Sequence, residues 1–174
     1  MKSTRIGLPA LAATLLLSAC ASTPPAGPRA EARLEARSGS TVAGTVSFVQ
    51  QGDKLRVEAK VMRLTPGEHG FHVHESGDCS APDATSAKGH FNPAGKQHGH
   101  HSGMDRHAGD MPNLKADAQG NASYSGELAL LSLGSDAQGI LGRSVVIHAD
   151  PDDYASQPAG NSGKRVACGT LKAL

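Results

Sequence analysis

Alternation of apolar and polar residues predicts β-strands along much of the chain. The most regular run is Leu55-Arg56-Val57-Glu58-Ala59-Lys60-Val61, in which every second residue is apolar. Successive side chains of a strand point to opposite faces, so this run predicts a strand with one face in the core and the other in water. Residues 42–48 alternate in the same way, and Gln51-Gly52-Asp53 between the two runs predicts a turn.

Further strand-like runs are shorter and are separated by turn residues. They cover residues 70–75, 122–131, 143–148 and 165–171. The chain has 21 glycines among its 174 residues and no tryptophan, a composition that suits short strands joined by tight turns. We therefore expect an all-β fold, a Greek-key β-sandwich or flattened barrel.

The segment from residue 75 to residue 113 shows no regular alternation of apolar and polar residues, and it contains many turn residues. A loop of this length counts against a compact fold unless something other than a hydrophobic core holds it. A metal ion and a disulfide can do so. Most of the nine histidines of the chain lie in or beside this loop, which favours a metal ion.

The run Gly70-Phe71-His72-Val73-His74-Glu75 is the centre of the candidate chemistry. On a strand, His72 and His74 share one face while Phe71 and Val73 point toward the core. Two neighbouring imidazoles on a rigid strand can form half of a metal site, although a His-x-His pair alone is equally compatible with an ordinary polar strand face. The spacing of other residues favours the metal site, and the further candidate ligands are His90, His98, His107, Asp110 and His148.

Charge and composition exclude other classes of function. The net charge is +1, so a nucleic-acid partner has no electrostatic support. Aromatic residues make up 3% of the chain, which argues against a large aromatic ligand pocket.

The N-terminal region predicts export. Lys2 and Arg5 precede the apolar run 6–17, which is too short to span a bilayer, so residues 1–19 resemble a signal peptide. Leu17-Ser18-Ala19-Cys20 resembles the lipobox of bacterial lipoproteins, which implies cleavage before Cys20 and its lipidation. An ordinary signal peptide, with Cys20 discarded, is the alternative.

These features divide the chain into three parts. We expect the signal peptide to be followed by a lipid-anchored flexible tether, residues 20–38, and by one folded domain, residues 39–174. The anchor implies the periplasmic face of a bacterial cell envelope. Ala21, which follows Cys20, favours the outer membrane.

Four motifs together resemble the copper/zinc superoxide dismutase family, in its bacterial exported form. They are Gly70-Phe71-His72-Val73-His74-Glu75, Gly89-His90-Phe91-Asn92-Pro93, Arg106-His107-Ala108-Gly109-Asp110 and Gly160-Asn161-Ser162-Gly163-Lys164-Arg165-Val166-Ala167-Cys168-Gly169. The resemblance runs from about Thr41 to the C-terminus. It implies conversion of superoxide to dioxygen and hydrogen peroxide by Cu(II)/Cu(I) cycling, with one structural zinc per subunit and long metal-binding and active-site loops.

The resemblance also implies a role for each matching residue. The implied copper ligands are His72, His74, His90 and His148. The implied zinc ligands are His90, His98, His107 and Asp110, so that His90 bridges the two ions and is catalytic. Asp152 is expected to join a copper ligand to a zinc ligand, the alternative being an ordinary turn aspartate. Arg165 is expected to be catalytic by attracting and orienting the anion.

The resemblance accounts for the odd number of cysteines as well. With Cys20 lipidated, it implies a disulfide between Cys79 and Cys168, as suits an oxidising compartment. That bond would tether the long loop to the last strand and hold Arg165 near the site.

Several alternatives stay open. His100 or His101 could replace His98 or bind a further ion, and His69 is expected to be structural. A copper-binding or copper-delivery protein without turnover, and a lipid-anchored envelope module, are rival functions. Exported relatives include monomers and dimers, so a homodimer is as compatible with the sequence as a monomer.

Overall fold

The structure, a computed structural model, describes Met1 and residues 27–174. Nine strands and one short 3₁₀ helix, Thr85–Ala87, make up its regular elements. The strands are β1 Arg29–Ala36, β2 Ala43–Gln51, β3 Lys54–Met62, β4 Gly67–His69, β5 Phe71–His74, β6 Leu114–Ala116, β7 Ala122–Leu128, β8 Ser144–His148 and β9 Arg165–Ala173. The expected all-β fold is confirmed.

Antiparallel pairing joins the strands in the order β4-β6-β7-β3-β2-β1-β9-β8-β5. Strands β4 and β5 lie at opposite ends of this order, yet only Gly70 separates them in the sequence. This connection brings the two ends of the sheet together, so the strands form a nearly closed barrel. The apolar faces of the strands meet inside it and form one main core.

The β2–β3 hairpin shows how the alternation produces the fold. Phe48 on β2 faces Val57 on β3 across the ladder, and both side chains are fully buried. Gly52 in the connecting turn has a φ of 60°, a conformation that glycine adopts without strain. The pattern of residues 55–61 on β3 is the predicted one, because the apolar residues are buried and the charged residues are exposed.

The N-terminal boundary of the domain differs from the expected one. Residues 29–36, which were expected to belong to the flexible tether, form strand β1 between β2 and β9. Ala30, Ala32 and Leu34 are buried on its inner face. They alternate with charged residues. Because alanine is only weakly hydrophobic, the alternation is not clear enough to predict a strand from the sequence.

Cys20 and most of the predicted signal peptide lie outside the described residues. Within the described part of the chain, no helix has the length and apolar character needed to span a membrane.

Candidate metal centre

Strand β5 is the element on which the site is built. All four of its residues are buried, because its inner face packs in the core and its outer face is covered by the long loop. The loop also pairs with the edge of β5 that β8 leaves free, since the N–H of Phe91 donates to Val73 O at 2.8 Å. Two isolated bridges extend this pairing, His72 with Asp110 and His74 with His90.

The first group of polar residues consists of four buried imidazoles, which we call the four-histidine cluster: His72, His74, His90 and His148. Each offers one ring nitrogen, and these nitrogens lie within 4.8 Å of one another. Backbone carbonyl groups contact the far side of two rings, with His74 Nδ1 3.0 Å from Lys88 O and His148 Nδ1 3.4 Å from Gly163 O. Donation to these carbonyls leaves the Nε2 lone pairs of His74 and His148 facing each other, 3.4 Å apart.

Two other nitrogens of the four-histidine cluster are buried without any hydrogen-bond partner among the described residues, His72 Nδ1 and His90 Nε2. A buried polar atom without a partner is costly, and two facing lone pairs cannot bond to each other. A cation at the centre of the group satisfies all of them. Imidazole nitrogen is a ligand that copper prefers, so the cluster fits a copper ion.

The second group comes from the long loop, and we call it the Asp110 cluster: His90, His98, His107 and Asp110. The Nδ1 atoms of the three histidines approach one oxygen, Asp110 Oδ1. The distances are 2.8 Å for His90, 3.1 Å for His98 and 3.4 Å for His107. The other carboxylate oxygen accepts hydrogen bonds from the N–H of His107 at 2.9 Å and of Gly99 at 3.2 Å. Three imidazole nitrogens and one carboxylate oxygen form a set that fits tetrahedral zinc.

His90 belongs to both clusters. Its Nδ1 lies on the side of Asp110, and its Nε2, on the other side of the ring, is the partnerless buried atom. The ring stacks on His72 with 3.9 Å between the centroids. One imidazole therefore presents a different nitrogen to each cluster.

Asp152 connects the two clusters. Its Oδ2 accepts a hydrogen bond from His72 Nε2 and its Oδ1 accepts one from His98 Nε2, both at 2.8 Å. Asn113 fixes the backbone of Asp152 through two reciprocal hydrogen bonds of 2.9 Å. A Cβ atom at Gly160 would overlap Asp152 Oδ1, so only glycine leaves room for the carboxylate. Asp152 thus orients one ring of each cluster.

Burial and charge act differently on the two clusters. Burial lowers the pKa of His90 to about 4 and lowers the pKa of His74 well below its ordinary value. Burial also opposes the charge on His98, but hydrogen bonds to the two carboxylates outweigh it and raise the pKa of His98 to about 9. Burial also opposes the charge on Asp110 and Asp152, but hydrogen bonds from the neighbouring histidines outweigh it and hold both pKa values below the usual range.

Arg165 lies beside the four-histidine cluster. It is the cross-strand partner of His148, next to an irregularity in the β8–β9 ladder, and its Nη1 donates to Ala84 O at 2.7 Å. The disulfide between Cys79 and Cys168 is present, with 5.8 Å between the Cα atoms. The disulfide and the hydrogen bond to Ala84 hold the long loop and β9 together around the guanidinium group.

The structure brings His98, and neither His100 nor His101, into the Asp110 cluster. His100 is exposed and His101 is half-buried. His69 lies outside both clusters, and its two ring nitrogens are each 2.8 Å from a backbone carbonyl oxygen, which agrees with the structural role expected for it.

Arg106 is a residue that sequence reasoning does not identify. It is buried, and its Nη1 donates to the carbonyl oxygens of His107, Ala108 and Asp110 at 2.7, 3.1 and 3.2 Å. Its Nη2 donates to Ala129 O at 3.3 Å. The guanidinium group therefore fastens the backbone of the Asp110 cluster to the segment after β7. Its only sequence signal is its place directly before His107.

Comparison with known proteins agrees with this chemistry. The family model described as copper/zinc superoxide dismutase (SODC) matches residues 42–171. Superoxide dismutase (Cu-Zn) 1 of Aquifex aeolicus (strain VF5) is 42% identical over 134 residues, 74% of this chain and 79% of the relative. Superoxide dismutase (Cu-Zn) of Paramecium bursaria Chlorella virus 1 is 41% identical over 137 residues, 75% of this chain and 72% of the relative.

A solved structure shares the fold. The crystal structure of the clock protein EA4 superposes with a TM-score of 0.77 at 40% identity and covers 84% of this chain and 94% of its own. The family model covers more than half of the chain, and the two clusters fit the copper and zinc that the names of the relatives specify. The chain belongs to the copper/zinc superoxide dismutase family of oxidoreductases.

Proposed function

We propose that the protein dismutates superoxide at a paired centre, in which the four-histidine cluster binds copper and the Asp110 cluster binds zinc. The observation that carries the proposal is the placement of His90. Its Nδ1 lies 2.8 Å from Asp110 Oδ1, and its Nε2 is buried without a partner on the opposite side of the ring. One ring can therefore serve two ions, one at each nitrogen.

Copper, when bound, supplies the one-electron oxidation of one superoxide and the one-electron reduction of the next. His90 Nε2 would hold a proton in the half of the cycle in which this nitrogen does not bind copper, and it would donate that proton to the reduced oxygen. The ring keeps its position meanwhile, because its Nδ1 stays on the side of Asp110 and its face stacks on His72. In total, two superoxide anions and two protons give dioxygen and hydrogen peroxide.

Arg165 supports the reaction through its charge. A guanidinium group beside His148 attracts a small anion and orients it toward the four-histidine cluster. Its hydrogen bond to Ala84 O fixes the head group, so little ordering is left to occur when the anion arrives.

A superoxide assay on four samples tests the proposal: metal-free protein, zinc-loaded protein, copper-loaded protein and protein loaded with both ions. We expect turnover only in the two samples that contain copper, with the highest rate in the doubly loaded one. The zinc-loaded sample is the matched control, because zinc occupies the Asp110 cluster without supplying redox chemistry. One tightly bound copper per chain without turnover contradicts the proposal and favours copper binding or delivery.

We also propose that the protein is a lipoprotein on the periplasmic face of a bacterial envelope, where it removes superoxide formed outside the cytoplasm. The motif Leu17-Ser18-Ala19-Cys20 supports this location. The disulfide between Cys79 and Cys168 agrees with an oxidising compartment.

The position of β1 sets how far the domain can lie from a lipid on Cys20. Eight residues, 21–28, separate Cys20 from the first residue of β1. An extended chain of that length reaches about 28 Å, so a lipid on Cys20 holds the domain close to the membrane surface. We expect Cys20→Ser to abolish incorporation of labelled palmitate and to release the protein from the membrane fraction. Ser22→Ala is the matched control, and release of both variants contradicts the anchor.

A further inference from the structure

Two histidines of the long loop take part in neither cluster. His100 and His101 lie side by side at the surface, with 4.3 Å between their ring centroids and 32° between their planes. Tyr154 packs against both, at centroid distances of 4.6 and 5.6 Å. An aromatic side chain from another loop therefore holds the two imidazoles together, so the pair is formed before any ligand arrives.

Most of the ring nitrogens in this pair are free of protein contacts. Ser102 contacts only Nδ1 of His100, through its Oγ at 2.8 Å and its backbone nitrogen at 3.3 Å. His100 Nε2 and both nitrogens of His101 make no hydrogen bond within the described part of the chain. The hydroxyl of Tyr154 is already occupied, because it accepts a hydrogen bond from the N–H of Asn113 at 2.8 Å. Nitrogen lone pairs thus remain available to bind a metal ion.

The surface next to His101 also carries a sulfur donor. Met104 is 73% exposed, and it lines the same surface cavity of about 330 Å³ as His101. A thioether is a soft ligand that favours Cu(I), and imidazole binds copper well. The carboxylate of Asp105 is paired with Lys96 at 3.1 Å, and in the described residues no acidic or thiol group joins the pair to make a set of three. This donor set does not suit a hard ion such as Mg²⁺ or Ca²⁺.

We propose that His100, His101 and Met104 form a surface copper site, distinct from both clusters, which binds Cu(I) reversibly. The site is exposed and has three donors at most, so the ion exchanges with solution instead of being locked in place. It lies two residues beyond His98 on the loop that covers β5. Copper held there is close to the metal centre while that centre is being loaded.

Anaerobic titration of the protein with Cu(I), in competition with the chromophoric chelator bicinchoninate, tests the site. The protein is first loaded fully with copper and zinc, so that both clusters are occupied. We expect the wild type to hold one further equivalent of Cu(I) per chain and the double variant His100→Gln/His101→Gln to hold none. Met104→Leu should weaken this equivalent by about tenfold, because it removes the soft donor but keeps the shape.

Lys96→Gln is the matched control on the same loop and should keep the further equivalent. The copper and zinc contents of the clusters are measured first, and the single variants His100→Gln and His101→Gln replace the double variant if it does not load. Absence of a further equivalent in the wild type, or its full retention in the histidine variants, overturns the proposal. Tighter binding of Zn(II) than of Cu(I) overturns the assignment to copper.

Discussion

The four-histidine cluster and the Asp110 cluster share a ring but are built from different parts of the molecule. His72, His74 and His148 of the first cluster stand on strands β5 and β8, within the hydrogen-bonded ladder. All members of the Asp110 cluster come from the loop between β5 and β6. The sheet fixes the positions of the first set, whereas the second is fixed by polar contacts of the loop itself.

The contacts within the two clusters differ in the same way. The ring nitrogens that face the centre of the four-histidine cluster have no protein group to satisfy them. In the Asp110 cluster, Nδ1 of His90 and Nδ1 of His98 already contact one carboxylate oxygen. The proposed copper site is therefore preorganised by the strands, whereas the proposed zinc site is formed by a loop. Two side chains join the clusters directly, the shared His90 and the linking Asp152.

Removal of the shared ring should have the largest effect. In His90→Ala each cluster loses one ligand, and the chain loses the atom that holds the proton. We expect the turnover of the copper-loaded protein to fall by about 100-fold or more in a superoxide assay. Lys96→Ala, on the same loop but in neither cluster, should keep wild-type turnover. A His90→Ala protein that binds copper and turns over near the wild-type rate would contradict the shared role of this ring.

Replacement of the loop carboxylate should separate the clusters. In Asp110→Asn the three Nδ1 atoms lose the charged oxygen on which they converge, while the strand histidines are unaffected. We expect zinc affinity, measured by chelator competition, to fall by about 100-fold, and copper affinity to change much less. Equal losses of both ions would show that the two sites are one cooperative unit and not a rigid site joined to a flexible one.

A comparison of strands explains how much of the fold was predictable. Strand β3 alternates large apolar residues with charged ones, and the structure follows the prediction. Strand β1 alternates as well, but Ala30 and Ala32 are small, and the surrounding residues resemble a linker in composition. Its pairing with β2 and β9 is a non-local contact that local composition does not reveal.

The site likewise contains residues that the sequence predicts and residues that it does not. The residues that form the two clusters were predictable because their motifs are specific. The choice of His98 over His100 depended on which ring the loop turns inward, and this follows from its contacts with Asp110 and Asp152. The role of Arg106 was not predictable, because its partners are backbone carbonyl groups, which every sequence contains.

A change beside only one cluster should have a smaller effect. Arg165→Ala removes the guanidinium group next to His148 but no ligand. We expect activity to fall by about tenfold and to depend less on ionic strength, because the attraction of the anion is electrostatic. Copper and zinc contents, measured by atomic absorption, should stay at wild-type levels. Arg165→Lys should recover part of the activity, and loss of copper from either variant would assign Arg165 to metal retention instead.

The smallest expected effect, a count of released protons, tests the shared ring most directly. At about pH 7.5, His98 of the metal-free protein holds an extra proton because its pKa is raised to about 9, and zinc must displace it. Zinc should therefore release about one proton, and the release should vanish as the pH rises through that pKa. His90, with its pKa lowered to about 4, is neutral and keeps one proton at Nε2 when zinc occupies Nδ1.

Copper added to the zinc-loaded protein must remove that last proton from His90, so about one more proton should appear in a weakly buffered indicator assay. Copper added to the zinc-free protein should release almost none, because neutral His90 can keep its proton at Nδ1 and the lowered pKa values of His74 and His148 leave those rings unprotonated. The difference between the two copper titrations measures the sharing of one ring by two ions. Equal proton release with and without zinc would mean that the clusters are neighbours that bind their ions independently.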